Sequence, residues 1–298
     1  MERRRGSLIA TASVQGGSVD NDFYNPNPNY LTIVALEDGL TASLSTNDVE
    51  YSIDGNDNWT TLTAGTASPA INKGQYISFR GNLTPTSSAG VGTFTISKSC
   101  DLTGNCNSLL FGDGAKTNLR LSGKNYAFYD LFYYCTTIKN VSPNFLPATS
   151  LADYCYYAMF SGCTSLTTAP ALPATYLVSN CYGAMFGSCT SLTTAPELPA
   201  TTLATYCYNG MFNGCTSLTT APELPATTLK SSCYHYMFKG CSKLNYIKAM
   251  FTTKPSSSYT NNWVSGVAST GTFVKNANAT WYVYGTSGIP SGWTVQTA

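Results

Sequence analysis

Residues 151–176 read LADYCYYAMFSGCTSLTTAPALPATY, and three further copies of this phrase follow, the last of them partial. The first cysteine recurs every 26 residues, at Cys155, Cys181, Cys207 and Cys233. The second cysteine keeps the same period, at Cys163, Cys189, Cys215 and Cys241. A fixed period of this kind indicates a repeat protein, in which each unit covers the apolar face of the next. The repeat therefore decides the architecture of the second half of this 298-residue chain.

An incomplete copy precedes the series. Leu131 and Phe132 stand where the repeats have Met-Phe, and Cys135 lies 28 residues before Cys163. Ala127 replaces the first cysteine of this copy. The repeated region is therefore predicted to begin well before residue 151.

The apolar positions of the unit predict its local structure. Leu151, Cys155 and Met159 are spaced at i, i+4 and i+8, which is typical of one stripe of an amphipathic α-helix. The segment from Ser165 to Ala169 reads as a short strand, which should end at Pro170 because proline has no N–H to donate. One helix and one strand per unit, stacked in register, predict a right-handed α/β solenoid with Leu, Met, Phe and Cys inside.

The phrase M-F-x-G-C-T-S-L, complete at residues 211–218, resembles the BspA-like leucine-rich repeats of bacterial surface proteins. The resemblance covers about residues 120–250. The tail from Trp263 to Trp293 resembles C-terminal modules of similar proteins in gut bacteria and their phages. The resemblance implies a leucine-rich-repeat solenoid that serves adhesion or partner binding rather than catalysis.

The first part of the chain has a different pattern, in which short β-type runs alternate with turn signals such as Asp54-Gly55 and Lys73-Gly74. The runs cover residues 31–36, 49–53, 59–62, 76–79 and 92–96. Short strands spaced in this way predict an antiparallel, sandwich-like all-β domain.

These patterns predict four segments along the chain. An extended arm covers residues 1–28 and a β-sandwich domain covers residues 29–112. The leucine-rich-repeat solenoid follows at 113–250, and a small β-rich capping module closes the chain at 251–298.

Charge is scarce, since 10% of the residues are charged against roughly 25% in ordinary soluble domains. The net charge of +1 creates no overall field that favours nucleic acid or an acidic membrane. No apolar run is long enough for a signal peptide or a membrane span, so we expect synthesis in the cytoplasm and no membrane insertion. The basic cluster Arg3, Arg4 and Arg5 is either a solvated arm or an assembly tether to a partner.

Nine of the eleven cysteines occupy repeat positions. We expect these nine to be reduced and to pack as small apolar residues, because an odd count without a signal sequence argues against a disulfide framework. Cys100 and Cys106 lie six residues apart around Gly104, and for this pair a disulfide or half of a metal site stays an alternative.

The chain carries few residues for chemistry. Its single histidine, His235, stands at a unit position held elsewhere by Tyr157, Gly183 and Asn209, so the repeat does not require it. One histidine forms no triad and no His–metal cluster, and no phosphate loop, dinucleotide motif or calcium loop is present. We therefore expect no enzymatic activity, no cofactor and no metal.

The leading hypothesis is a bacteriophage virion protein: a head or tail fibre, a decoration protein or a receptor-binding protein. The arm would contact other virion proteins, and the solenoid would bind a host-surface glycan or protein. A homo-oligomer, for instance a trimer, fits such a role. The alternatives are a bacterial cell-surface adhesin and, more modestly, an intracellular scaffold.

Positions that vary between copies are the candidate contacts with the target, although neutral drift of exposed positions is an equally simple explanation. Tyrosine supplies stacking area and a hydroxyl at low entropic cost. We predict contacts from helix-side residues and from tryptophans of the tail. They are Tyr154, Tyr157, Tyr206, His235, Tyr236, Trp263, Trp281 and Trp293.

Overall fold

The computed structural model of the protein describes residues 26–87 and 89–298. Most of the predicted arm, including Arg3, Arg4 and Arg5, therefore lies outside the described residues. Within the described ranges the α-helices are two single turns, α1 (Ser108–Phe111) and α2 (Ser257–Thr260). Two short 3-10 helices cover Gly112–Lys116 and Pro143–Phe145.

Short strands build the first part of the chain, and five of them lie where the sequence predicts strands. These are β1 (Leu31–Ala35), β3 (Val49–Ile53), β4 (Thr60–Leu62), β5 (Tyr76–Arg80) and β6 (Phe94–Ile96). Three further strands are β2 (Ala42–Leu44), β7 (Cys100–Thr103) and β8 (Ile138–Val141). Every residue of β1 is buried, as expected for a strand in the middle of a sheet.

The predicted β-sandwich is wrong in its arrangement. One sheet has six strands in the order β4-β3-β5-β1-β7-β8, while β2 and β6 form a separate two-stranded sheet. The sixth strand, β8, comes from beyond residue 112 and pairs in parallel with β7. The two parts of the chain therefore share a sheet, because the edge of β7 takes its partner from the incomplete first copy of the repeat.

The predicted α/β leucine-rich-repeat solenoid is also wrong, because the repeats contain no helix. All residues from 146 to 256 are described, and none of them is helical. The segment predicted as a helix is a ribbon of overlapping turns in which alternate amides have different partners. Cys155 and Tyr157 donate to the carbonyls three residues back, those of Ala152 and Tyr154, over 3.2 Å each. The amide of Tyr156, between them, donates to the next unit, to the Cys181 carbonyl, over 3.0 Å.

The backbone angles explain why this ribbon is not an α-helix. φ is 58° at Tyr154, 50° at Ala158 and 78° at Gly162, a left-handed conformation at every fourth residue. The next unit repeats it at Asn180, Ala184 and Ser188. An α-helix needs φ near −63° at every residue. A ribbon with a period of four residues thus shows the same i, i+4, i+8 apolar spacing as a helix.

Identical side chains stack from unit to unit inside this structure. The rings of Phe132, Phe160, Phe186, Phe212 and Phe238 follow one another with centroids 5.5 to 5.8 Å apart. A second ladder, with centroids 5.8 to 6.0 Å apart, consists of Tyr156, Tyr182, Tyr208 and Tyr234. We call this stack of units the repeat column. The predicted burial of the Leu, Met, Phe and Cys positions is confirmed.

Ordinary sheets lie at both ends of the repeat column. The predicted strand 165–169 is wrong in extent and is reduced to isolated parallel bridges, which join Asn140 to Thr168, Thr168 to Thr194 and Thr220 to Tyr246. Prolines such as Pro170 follow the bridge and cannot donate to a longer ladder. At the C-terminal end, three parallel strands form the sheet β11-β10-β9. They are β9 (Tyr246–Ala249), β10 (Thr272–Lys275) and β11 (Thr294–Thr297).

The left-handed positions can be tested by exchanging alanine and glycine. Ala184 has φ 52°, and its counterpart one unit later, Gly210, has φ 63°. A left-handed residue other than glycine is strained by roughly 1–2 kcal/mol, partly offset by the chain entropy that glycine loses on folding. We expect Ala184→Gly to leave the free energy of unfolding unchanged or to raise it by up to about 1 kcal/mol. Gly210→Ala should lower it by about 1 kcal/mol.

Urea unfolding followed by circular dichroism measures both changes. In an α-helix Ala→Gly would instead cost roughly 0.5–1 kcal/mol. A loss of that size for Ala184→Gly would contradict the turn ribbon.

Candidate functional site

Six tyrosines gather where the incomplete first copy meets the first full unit. We call this surface the tyrosine patch, and its members are Tyr126, Tyr129, Tyr133, Tyr134, Tyr154 and Tyr157. Tyr133 and Tyr134 are 43% and 63% exposed, and the other four are half-buried. The patch is therefore open to solvent while its base is anchored in the repeat column.

The register between the two units places the tyrosines in pairs. The amide of Tyr126 donates to the Asp153 carbonyl (2.9 Å), and the amide of Asp130 donates to that of Tyr157 (3.1 Å). Side chains at equal positions must then stack. The rings of Tyr126 and Tyr154 are parallel within 9° at 4.8 Å, and those of Tyr129 and Tyr157 within 7° at 5.2 Å. Stacking covers ring faces, so these four tyrosines present mainly their edges and hydroxyl groups to solvent.

Two glycines of the repeat column make room for tyrosine rings. A Cβ atom on Gly183 would lie 2.8 Å from Cδ2 of Tyr157, and one on Gly162 would lie 2.9 Å from the ring of Tyr134. Side chains at these positions would displace the rings. The outer surface of the first units is thus built around the tyrosines.

Asp130 lies among these rings with its side chain half-buried. No hydrogen bond or ion pair joins its carboxylate to any residue of the described ranges. Burial raises the pKa of this carboxyl to about 6. Burial also raises the pKa of Tyr129 and Tyr157, and the negative charge of Asp130 adds to both shifts. An acceptor that lacks a protein partner is thus held beside tyrosine hydroxyls.

Comparison of the chain with known proteins found no match to a family model, a curated protein or a solved structure. The residues of the surface itself therefore carry the functional argument.

The predicted contact residues fall into two surface groups and an interior group. Tyr154 and Tyr157 belong to the tyrosine patch. Tyr206, His235 and Tyr236 lie further along the repeat column, where the rings of Tyr206 and His235 meet edge to face at 6.1 Å. The His235 Nε2 atom is 2.7 Å from the Ser257 carbonyl oxygen, and Tyr236 Oη accepts a hydrogen bond from Asn261 (3.1 Å). Polar side chains in this second group are thus already engaged within the chain.

The prediction that tail tryptophans contact a target is wrong, because all three are buried. Trp263 is fully buried, and Trp281 and Trp293 are 5% exposed. The indole N–H of Trp263 donates to the Gly288 carbonyl, and that of Trp293 donates to the Ala268 carbonyl, each over 2.8 Å. The last unit of a stack has an apolar face without a following unit, and these large rings cover it.

Sequence reasoning missed Tyr126, Tyr129, Asp130, Tyr133 and Tyr134. The signal for the first two was available, because the 28-residue offset that relates Cys135 to Cys163 also relates Tyr126 to Tyr154 and Tyr129 to Tyr157. The other three replace Ala158, Ser161 and Gly162 of the next unit, so the repeat pattern does not point to them.

The cysteines are buried and unpaired, as predicted for the repeat positions, and Cys100 and Cys106 are also free. The thiol of Cys189 donates to the Phe160 carbonyl (3.1 Å), and the other three cysteines of its column make equivalent bonds. Burial raises the pKa of Cys155 to about 12. Among the described residues, no group of three His, Cys, Asp or Glu side chains could hold a metal ion. In the same ranges no helix has the length and apolarity to cross a membrane.

The thiols should therefore be inert in the native protein, because the thiolate is the reactive form and burial disfavours it. We expect a small aromatic disulfide reagent to modify the eleven cysteines only after unfolding in urea. Thr190→Cys provides the control, since Thr190 is exposed and its thiol should react at once without denaturant. Native cysteines that react as fast as this control would contradict the buried arrangement.

Proposed function

We propose that the protein is a non-enzymatic attachment protein whose tyrosine patch binds a glycan on a host-cell surface, as part of a bacteriophage particle. The observation that carries the proposal is the group of six tyrosines on a stacked backbone that also holds the unpaired carboxylate of Asp130. Tyrosine edges and hydroxyls offer both apolar contact and hydrogen bonds to a polar ligand.

The backbone beneath the patch supports a binding role. Tyr126, Asp130 and Tyr134 each donate an amide hydrogen bond to the following unit. Stacking also restricts the rings of Tyr129 and Tyr157. A surface ordered before its ligand arrives loses little conformational entropy on binding, which favours affinity.

The place in a virion is proposed from the same low-charge, tyrosine-rich composition and from the stacked units. A repeat column suits display, because it carries a binding surface on a stiff support. A bacterial cell-surface adhesin is the second candidate, favoured by the resemblance of the M-F-x-G-C-T-S-L phrase to repeats of bacterial surface proteins.

Replacing the two most exposed tyrosines of the patch tests the binding role. We expect Tyr133→Ser combined with Tyr134→Ser to lower the affinity for immobilised bacterial surface glycans by at least about tenfold, since each aromatic contact contributes about 1 kcal/mol. Binding is measured with the purified protein on a glycan array. The melting temperature should change little, because these two side chains are the most exposed of the patch.

Tyr176→Ser is the matched control, because Tyr176 is 66% exposed and lies outside the patch. Undiminished binding by the double variant, or an equal loss in the control, would contradict a specific role of the patch.

The assembly role is tested by deleting residues 1–25, which include the predicted tether Arg3, Arg4 and Arg5. We expect the shortened protein to fold and to bind glycans as before but to be missing from purified phage particles. Electron microscopy with an antibody against residues 260–298 measures incorporation. Normal labelling of particles by the shortened protein would refute the tether, and labelling confined to the bacterial envelope would favour the adhesin.

A further inference from the structure

We propose that the ligand of the tyrosine patch carries a protonated amino group, and that this ammonium pairs with Asp130. The inference rests on the proposed function, and it narrows the ligand from glycans in general to amino-bearing glycans.

The first observation is the lack of any compensating charge for Asp130 within the chain. No lysine or arginine of the described ranges forms an ion pair with the Asp130 carboxylate. A half-buried carboxylate without a protein partner has lost part of its hydration without a compensating hydrogen bond from the chain. A ligand with a positive charge restores that loss more fully than a neutral hydroxyl does, since charge-assisted hydrogen bonds are about twice as strong.

The second observation is the aromatic surroundings of this carboxylate. The amide of Asp130 donates to the Tyr157 carbonyl (3.1 Å), and the amide of Tyr133 donates to the Asp130 carbonyl (3.1 Å). Tyr129 directly precedes Asp130 and stacks on Tyr157 at 5.2 Å, so three tyrosines neighbour this residue. The rings of Tyr129 and Tyr157 face each other in a parallel stack, so these residues offer a ligand their phenolic oxygens, which accept hydrogen bonds from an ammonium group. Carboxylate and phenolic oxygens therefore favour the same kind of ligand.

The chain itself provides examples of this chemistry. The ammonium of Lys275 lies 3.6 Å from the ring centroid of Tyr282 while it donates to the carbonyls of Ala279 and Trp281. Lys239 places its ammonium 5.3 Å from the ring centroid of Tyr236. These two places show that an ammonium group packs against a tyrosine side chain within this chain.

The site occurs once along the repeat column. The positions equivalent to Asp130 in the following units are Ala158, Ala184, Gly210 and Tyr236, none of which carries a charge. One ammonium group per chain is therefore expected.

The test compares two glycosides, one with a free amine and one in which the amine is acetylated and therefore uncharged. The probes are 2-aminoethyl β-glucoside and its N-acetyl derivative, titrated into the full-length protein and followed by NMR at pH 7.5. We expect the amine to bind at least about tenfold more tightly than the acetylated form, as a charge-assisted bond of 1.5–3 kcal/mol implies. Asp130→Asn should remove the difference. Asparagine is among the residues that best tolerate the left-handed φ of 55° at this position, so the variant should fold.

Asp153→Asn is the matched control. Asp153 is an exposed carboxylate whose oxygen accepts a hydrogen bond from the Ser179 amide, and an asparagine side chain can accept the same bond. This variant should keep the preference for the amine.

The dependence on pH gives a second readout. Asp130 has a raised pKa of about 6, so its negative charge is present above that value and is lost as the pH falls through it. An alkylammonium group, like the lysine side chain with its pKa near 10, stays charged between pH 5 and 8. Affinity for the amine should therefore fall between pH 7.5 and pH 5 in the native protein and stay flat in Asp130→Asn.

The possible failures are distinguishable. Equal binding of both glycosides, or binding of neither while array glycans still bind through Tyr133 and Tyr134, overturns the ammonium inference and leaves the proposed function standing. Glycan binding that does not depend on Tyr133 and Tyr134 overturns both.

Discussion

The hydrogen bonds that alternate backbone amides make between units are the interaction on which this structure depends. In an α-helix all amides beyond the first turn bond within the helix, so neighbouring helices are free to slide until side chains lock them. Here the amides of Tyr156 and Phe160 bond to the next unit, to Cys181 and Met185. The register between units is therefore set by the backbone, and identical side chains must stack on one another. The same constraint produces the phenylalanine ladder inside and the tyrosine pairs outside.

A stack of this kind must be closed at both ends, and aromatic residues close it. Phe94 of strand β6 stacks on Phe132 at 5.5 Å, so the phenylalanine ladder continues into the first part of the chain. At the other end, Trp263 covers Phe238 with a centroid distance of 6.1 Å. These contacts explain why the largest side chains of the tail are buried. The tryptophans that could have formed a binding surface there stabilise the end of the repeat column instead.

Features that depend on neighbouring residues or on the repeat can be predicted from the sequence. Strand pairings between distant segments cannot. The repeat period and its buried positions follow from self-similarity, and strands such as β1 and β3 follow from local composition. The parallel pairing of β7 with β8 does not, because nothing near Cys100 indicates its partner. The sequence itself contained evidence against the predicted helix in the repeats. Leu151 and Cys163 are twelve residues apart in strict steps of four, whereas a helix turning about 100° per residue would separate them by about 120° around its axis.

The tyrosine patch shows where functional information lies in a repeated chain. Backbone register obliges equivalent positions to meet, so a side chain that suits one unit tends to suit all, as the buried cysteines and phenylalanines show. The first unit has a repeat neighbour on one side only. On its other side the first part of the chain packs closely against it, since a Cβ atom added to Gly90 would lie 2.7 Å from the Tyr126 carbonyl oxygen. Because no preceding unit stacks on it, the first unit does not have to match one. It carries Asp130, Tyr133 and Tyr134 at positions where the next unit has Ala158, Ser161 and Gly162. A carboxylate in place of alanine adds nothing to stacking and leaves an acceptor without a partner. Departures from the repeat that bring such a cost are positions that the stacking of the units does not explain.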